Sequence, residues 1–151
     1  MTREARTMEQ DNARVVSEAI AAWNARDAER YVALLDEDCL VETHGESPLR
    51  GLAAARQAMQ RYLDEFSDLR FELEDFAVNE GELAVATWRA HATSSRGARG
   101  PAGGPRTVYG CTVIGLKRGR LVRLCHYWDS DDGSRSETER VRPATCPATP
   151  P

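Results

Sequence analysis

The spacing of apolar residues changes near residue 69, and that change constrains the fold more than any other feature of the chain. Upstream, residues 11–25 place Val16, Ile20 and Trp23 at i, i+4 and i+7, the repeat of one helix face. Asp27 stands where it can N-cap a short second helix carrying Tyr31, Val32, Leu34 and Leu35. Cys39 to His44 reads as a short strand and Ser47-Pro48 as a turn. Gly51 then opens a third helix with Leu52, Ala55, Met59, Tyr62, Leu63 and Phe66 on one stripe. Downstream the period becomes that of strands, over 69–78, 82–93, 106–117 and 120–129, with turns at 79–81 and 117–119. Links this short cannot make a parallel crossover, so the four strands form an antiparallel meander. Helices followed by strands is an α+β pattern. The expected architecture is a cone-shaped α+β barrel, with three N-terminal helices packed on a curved antiparallel sheet. The open end of such a cone suits a small-molecule pocket.

A length of 151 residues with 41% apolar composition supports one core. We place the domain at residues 8–129, after a flexible leader at 1–7. The polar, Pro-rich segment 130–151 is expected to be a disordered tail, because it offers little to bury. Ser94 to Arg106 reads as a mobile Gly/Pro connector carrying Arg96, Arg99 and Arg106. No run approaches the roughly 18 apolar residues of a membrane span, and no secretory signal opens the chain, so a cytoplasmic protein is expected. The net charge of −4 and the lack of a basic stripe argue against nucleic acid as a partner. The four cysteines, Cys39, Cys111, Cys125 and Cys146, show no metal-ligand spacing and are expected as thiols. No metal and no cofactor are expected.

The string AWNARDAERYVALLDEDCLVETHGESPLRGLAAARQAM resembles the opening of the nuclear transport factor 2 superfamily. Its marks are a first helix ending in Asn-Ala-x-Asp, an acidic turn, a strand, and Arg-Gly before the third helix. FSDLRFELEDFAVNEGELAVATWRAHA and GLKRGRLVRLCHYWD resemble the SnoaL-like branch, which includes polyketide cyclases and is related to ketosteroid isomerase and limonene epoxide hydrolase. The likeness spans about residues 11 to 129. It implies the cone fold, a cavity, cofactor-independent chemistry and a homodimer formed through the outer face of the sheet. Fold alone does not select an activity, because this scaffold carries enzymes and binding modules alike.

Candidate site residues follow from alternation and from the resemblance. A three-residue loop at Lys117–Gly119 would set Thr112 against Leu124, Gly110 against His126 and Cys111 against Cys125. The last of these pairs would also permit a cross-strand disulfide. Thr112, Ile114, Leu124, His126 and Trp128 then share one sheet face, which the resemblance turns toward the cavity. His126 stands where the cyclases and epoxide hydrolases keep a catalytic Asp, and a histidine there can move protons near neutral pH. Thr112 aligns with a pocket acid or histidine of the relatives. Ala19 takes the place of the isomerase's oxyanion-binding Tyr. On 39–44, either Glu42 with His44 or Thr43 with Val41 faces inward. On 82–93 the resemblance turns Thr87, Arg89 and His91 inward, whereas the opposite parity puts Trp88 in the pocket and Arg89 on the outer face. Trp23, Tyr31, Tyr62 and Phe66 lie at helical core spacing and suit cavity wall.

The expected catalytic set is thus His126, Glu42, Thr112 and Arg89. The expected substrate-binding set is Thr43, His44, Trp88, His91, Trp128, Tyr62 and Trp23. The leading expectation is a cyclase or isomerase of secondary metabolism that moves a proton on a small hydrophobic carbonyl compound. In it His126 abstracts the α-proton, and Thr112 or Arg89 stabilises the enolate oxygen. The alternatives are a non-catalytic binding or dimerisation domain, and an epoxide hydrolase-like enzyme.

Overall fold

The computed structural model describes residues 3–79, 82–93 and 105–129, with side chains except those of residues 3–7 and 9. Helix α1 (Arg3–Asn24) begins within the segment expected as a leader and buries Val15, Val16 and Ala22. Helix α2 (Ala28–Val32) is capped by the Asp27 carboxylate, which accepts from the Arg30 amide at 2.9 Å. Leu35, expected in that helix, instead opens strand β1 (Leu35–Thr43). A two-residue strand β2 (Leu49–Arg50) follows the expected turn, and helix α3 (Leu52–Glu65) buries Ala55, Met59 and Leu63. Gly51 precedes α3 at φ +86°, a conformation that strains any residue with a Cβ. The long strands are β3 (Arg70–Val78), β4 (Leu83–Thr93), β5 (Pro105–Lys117) and β6 (Arg120–Trp128). The segment 130–151 and most of the 94–106 connector lie outside the described residues.

The strands form one six-stranded sheet in the order β2-β1-β6-β5-β4-β3. The meander β3 to β6 is antiparallel, as the short links of its first and last hairpins demand, but β1 runs parallel to β6. No short link joins that pair, so nothing local forbids the parallel arrangement. The helices cover one face of the curved sheet. Their buried residues meet Ala84 and Ala86 of β4, Ile114 and Leu116 of β5, and Leu121 and Leu124 of β6 in a single core. Asn24 ties the end of α1 to the sheet's edge strand. Its side-chain amide donates to the Phe71 carbonyl and accepts from the Phe71 amide, both at 2.8 Å. None of the described helices is long and apolar enough to cross a membrane.

The β5–β6 hairpin corrects the expected register. Arg118 and Gly119 both take positive φ, +52° and +72°, so the turn is a two-residue loop rather than a three-residue one. A register shift between Gly115 and Leu116 then adds a residue to the β6 side. In consequence Thr112 stands opposite His126, Gly110 opposite Trp128, and Cys111 opposite Tyr127 rather than Cys125. Cys39, Cys111 and Cys125 are free thiols. The error amounts to two residues, an even number, so the expected sharing of faces survives it.

Candidate functional site

Between the helices and the inner face of the sheet lies a cavity of about 420 Å³, adjoined at its inner end by a smaller space of about 50 Å³. The two share Ile20, Trp23, Tyr31, Trp88, Thr112 and His126 as wall. The volume follows from the sequence of β4. Its inward residues are Ala84, Ala86, Trp88, Ala90 and Ala92, and four alanines leave the helices room to stand off. Trp23, Tyr31, Tyr62, Phe71 and Trp88 line the space edge to face, with successive ring centroids 5.3 to 6.4 Å apart. Glu46, Arg61 and Glu65, all exposed, and half-buried Arg106 contribute to the outer part. An apolar chamber with few polar groups at depth is the usual form of a small-molecule site.

The polar groups at depth are connected. The Trp88 indole N–H donates to Thr112 Oγ1 at 2.9 Å, and Thr112 Oγ1 lies 2.9 Å from His126 Nδ1. The register places this chain: Trp88 lies opposite Gly110, Thr112 opposite both Ala86 and His126, and His126 opposite Thr43 of β1. Burial pushes the His126 imidazole down to about 4, so the ring is neutral at pH 7. Tyr62 is held by Glu46 at 3.2 Å, and desolvation with that carboxylate pushes the phenol up to about 12.

Gly110 makes the arrangement possible. A Cβ there would overlap the Trp88 ring and stand 2.7 Å from the Tyr127 carbonyl oxygen. A Gly110→Ala variant is therefore expected to lose about 1–3 kcal/mol of stability, the cost of overpacking, and to shift tryptophan emission as Trp88 is expelled. Urea denaturation and fluorescence check this; an unchanged midpoint and spectrum would count against the packing of Trp88 over Gly110.

Of the expected site residues, the fold brings Trp23, Thr43, Tyr62, Trp88, Thr112, His126 and Trp128 to the cavity and sends four elsewhere. The parity of β4 is the reverse of the one the resemblance suggested. Arg89 lies on the outer face, where Nε meets Glu74 at 2.8 Å and the guanidinium stands over the Tyr109 ring. His91, on the same face, has Nδ1 3.1 Å from Thr107 and Nε2 3.5 Å from Glu72. The physical reason is burial. Turning the alanines and Trp88 out would expose apolar surface and force Arg89 to lose its carboxylate partner. On β1 it is Thr43 that faces inward, whereas Glu42 pairs with Arg123 at 2.7 Å and accepts from the Cys125 thiol at 2.9 Å. Those bonds hold its carboxyl below the ordinary range, opposite to the raised value a buried base would need. His44 is exposed beside Tyr127. Sequence reasoning passed over Phe71, Gly110 and the outer residues Glu46, Arg61, Glu65 and Arg106 as parts of the site. For Gly110 a signal existed, since a glycine inside a strand often marks close approach of a neighbour. Among the described residues no three His, Cys, Asp or Glu side chains gather in a way that could hold a metal ion.

A SnoaL-like domain profile matches residues 16–124, from the second half of α1 into β6, and ends two residues before His126. The chain belongs to the SnoaL-like family. Solved structures agree with that assignment in fold. A candidate SnoaL-like polyketide cyclase from Jannaschia sp. CCS1 superposes with a TM-score of 0.73 at 16% identity, over 81% of this chain and 88% of that one. SalBIII, an epoxide hydrolase/cyclase-like enzyme of pyran ring formation in salinomycin, gives 0.70 at 19% identity, over 82% and 95%. An LEH-like epoxide hydrolase of M. tuberculosis gives 0.68 at 17%, over 82% and 86%. No curated protein matches in sequence. At 16 to 19% identity these structures show a shared fold, and fold alone does not select an activity.

Proposed function

We propose that this SnoaL-like protein is a cofactor-independent cyclase or isomerase that acts by proton transfer α to a carbonyl on a small hydrophobic, polyketide-like compound of secondary metabolism. The observation that carries the reading is the placement of His126. It is the one imidazole or carboxylate among the described residues at the inner end of an otherwise apolar chamber, and its Nε2 has no protein partner among those residues. A carbonyl compound seated there meets a neutral ring in a desolvated place, where hydrogen bonds to developing charge are strongest. Thr112, expected as a free donor, is already engaged by His126 and Trp88, and Arg89 is on the other face; neither is available to the enolate oxygen. For the epoxide hydrolase-like alternative an arginine–carboxylate pair would have to face the cavity, as the resemblance implies, and the pair that Arg89 of β4 makes with Glu74 of β3 lies outside it. A homodimer through the outer face of the sheet belongs to the same proposal, supported by exposed Leu83, Val85 and Tyr127 on that face.

The test needs no knowledge of the physiological substrate. Small cyclic ketones and 1,3-diketones are incubated with the protein in heavy water, and deuterium entry at the α-carbon is followed by NMR. Exchange faster than buffer, with saturation in ketone, is the expected result. Binding without exchange would overturn the enzymatic reading in favour of a binding domain.

A further inference from the structure

The buried hydrogen bonds around His126 determine more than its position. Trp88 Nε1 can only donate, so it occupies a lone pair of Thr112 Oγ1. The Thr112 side chain is buried at 6% exposure, and its other partner is His126 Nδ1. If Nδ1 carried the ring proton, Oγ1 would accept from two N–H groups and its own hydroxyl proton would face a buried surrounding without an acceptor. With the hydroxyl donating to Nδ1, Trp88 Nε1, Thr112 Oγ1 and His126 Nδ1 are all satisfied. The ring proton of the neutral imidazole then sits on Nε2, the nitrogen without a protein partner among the described residues, on a ring that lines both parts of the cavity.

We propose that Trp88 and Thr112 are positioning residues that hold His126 as the Nε2–H tautomer, so that the inner end of the cavity selects ligands presenting a hydrogen-bond acceptor, a ketone, quinone or enolate oxygen. The assignment rests on the reading of the cavity as a site for carbonyl compounds and states which atom His126 meets: the oxygen rather than the α-carbon. The α-proton then leaves to water or to a base of the outer cavity, while the electron pair moves onto the oxygen that Nε2–H already touches. A ligand offering only N–H donors at that depth, such as an ammonium group, would meet another donor and be disfavoured. The device depends on residues that strand pairing brings together, since Trp88, Thr112 and His126 come from three neighbouring strands.

Long-range proton–nitrogen NMR on the full chain with ¹⁵N-labelled histidine reads the tautomer directly, His126 being assigned by loss of its signals in His126→Asn. At neutral pH, Nδ1 is expected as the unprotonated nitrogen and Nε2 as the protonated one. Thr112→Ser should keep that pattern, whereas Thr112→Val should replace it by a mixture of tautomers. Trp88→Phe, which frees the hydroxyl to turn, should lower the Nε2–H population, and an unchanged population would remove Trp88 from the relay. Addition of 1-tetralone should shift the Nε2 resonance, and tetralin, which lacks the oxygen, should not; equal shifts from both would overturn the acceptor preference. An Nδ1–H tautomer in the unaltered protein overturns the relay even if α-exchange is catalysed. The Nε2–H tautomer without any α-exchange keeps the relay and overturns the proposed function instead.

Discussion

His126→Ala is expected to slow deuterium exchange at the ketone α-carbon by about two to four powers of ten, with the fold unchanged. That span covers the loss either of a group that handles a proton or of a preorganised donor to a developing oxyanion. Removal of the imidazole leaves Thr112 and Trp88 paired with each other, so the vacated volume joins the cavity that is already there. Far-ultraviolet circular dichroism and the urea midpoint of the variant at pH 7 serve as controls. The pH profile of the unaltered protein carries a second mark of the same group. Because burial holds the ring neutral down to about pH 4, exchange should show no titration near 6.5, the ordinary histidine value. An unchanged rate in the alanine variant would remove His126 from the reaction, and a bell or step centred near 6.5 that is lost in that variant would show that burial does not hold the ring neutral.

Stability should fall by about 3 kcal/mol as the pH drops from 7 through the window between 6.5 and 4, through this one residue. In the unfolded chain His126 takes up a proton near 6.5, whereas in the folded chain it does so only near 4. Over that interval the unfolded state binds more protons, so acid favours unfolding. At about 1.36 kcal/mol per pH unit the gap integrates to the stated loss: the contribution is fully present above 6.5 and gone below 4. Urea titrations at about pH 7.5 and pH 4.5 measure it, with His126→Gln as the reference that lacks a titrating ring. The difference in stability between the two pH values should be smaller in the variant by most of that amount. Equal losses in both proteins would show that the ring is not held neutral. Glu42 works in the opposite sense to a buried acid. Bonded to Cys125 and Arg123, its carboxyl is depressed, so it adds stability above its unfolded value that is lost as the pH falls through its folded one.

The helices and long strands were legible because each writes its period into the order of residues. The stripe Ala55, Met59 and Leu63 is buried as the 3.6 repeat requires, and Ala84, Ala86, Trp88 and Ala90 are buried at every second position of β4. The same alternation joined His126, Thr112 and Trp128 on one face, and a hairpin register wrong by two residues could not undo it. Which of two alternating sets turns inward was less legible. Arg89 and His91 were as regularly spaced as Trp88 and Ala90, and what separates the sets is the partner each finds. Glu74 and Glu72 await the charged set on the outer face, whereas the apolar helices receive the other.

The sequence by itself determined the element types, the α+β order, the antiparallel meander and the membership of His126 in a shared face, since all of these depend on local period and short links. Only the tertiary structure decided that β1 joins β6 in parallel, that Thr43 rather than Glu42 looks inward, and that Trp88, Thr112 and His126 make a hydrogen-bonded chain. Those outcomes depend on contacts between residues far apart in the chain. Their energies come from desolvation and buried hydrogen bonds that exist only once the layers have packed.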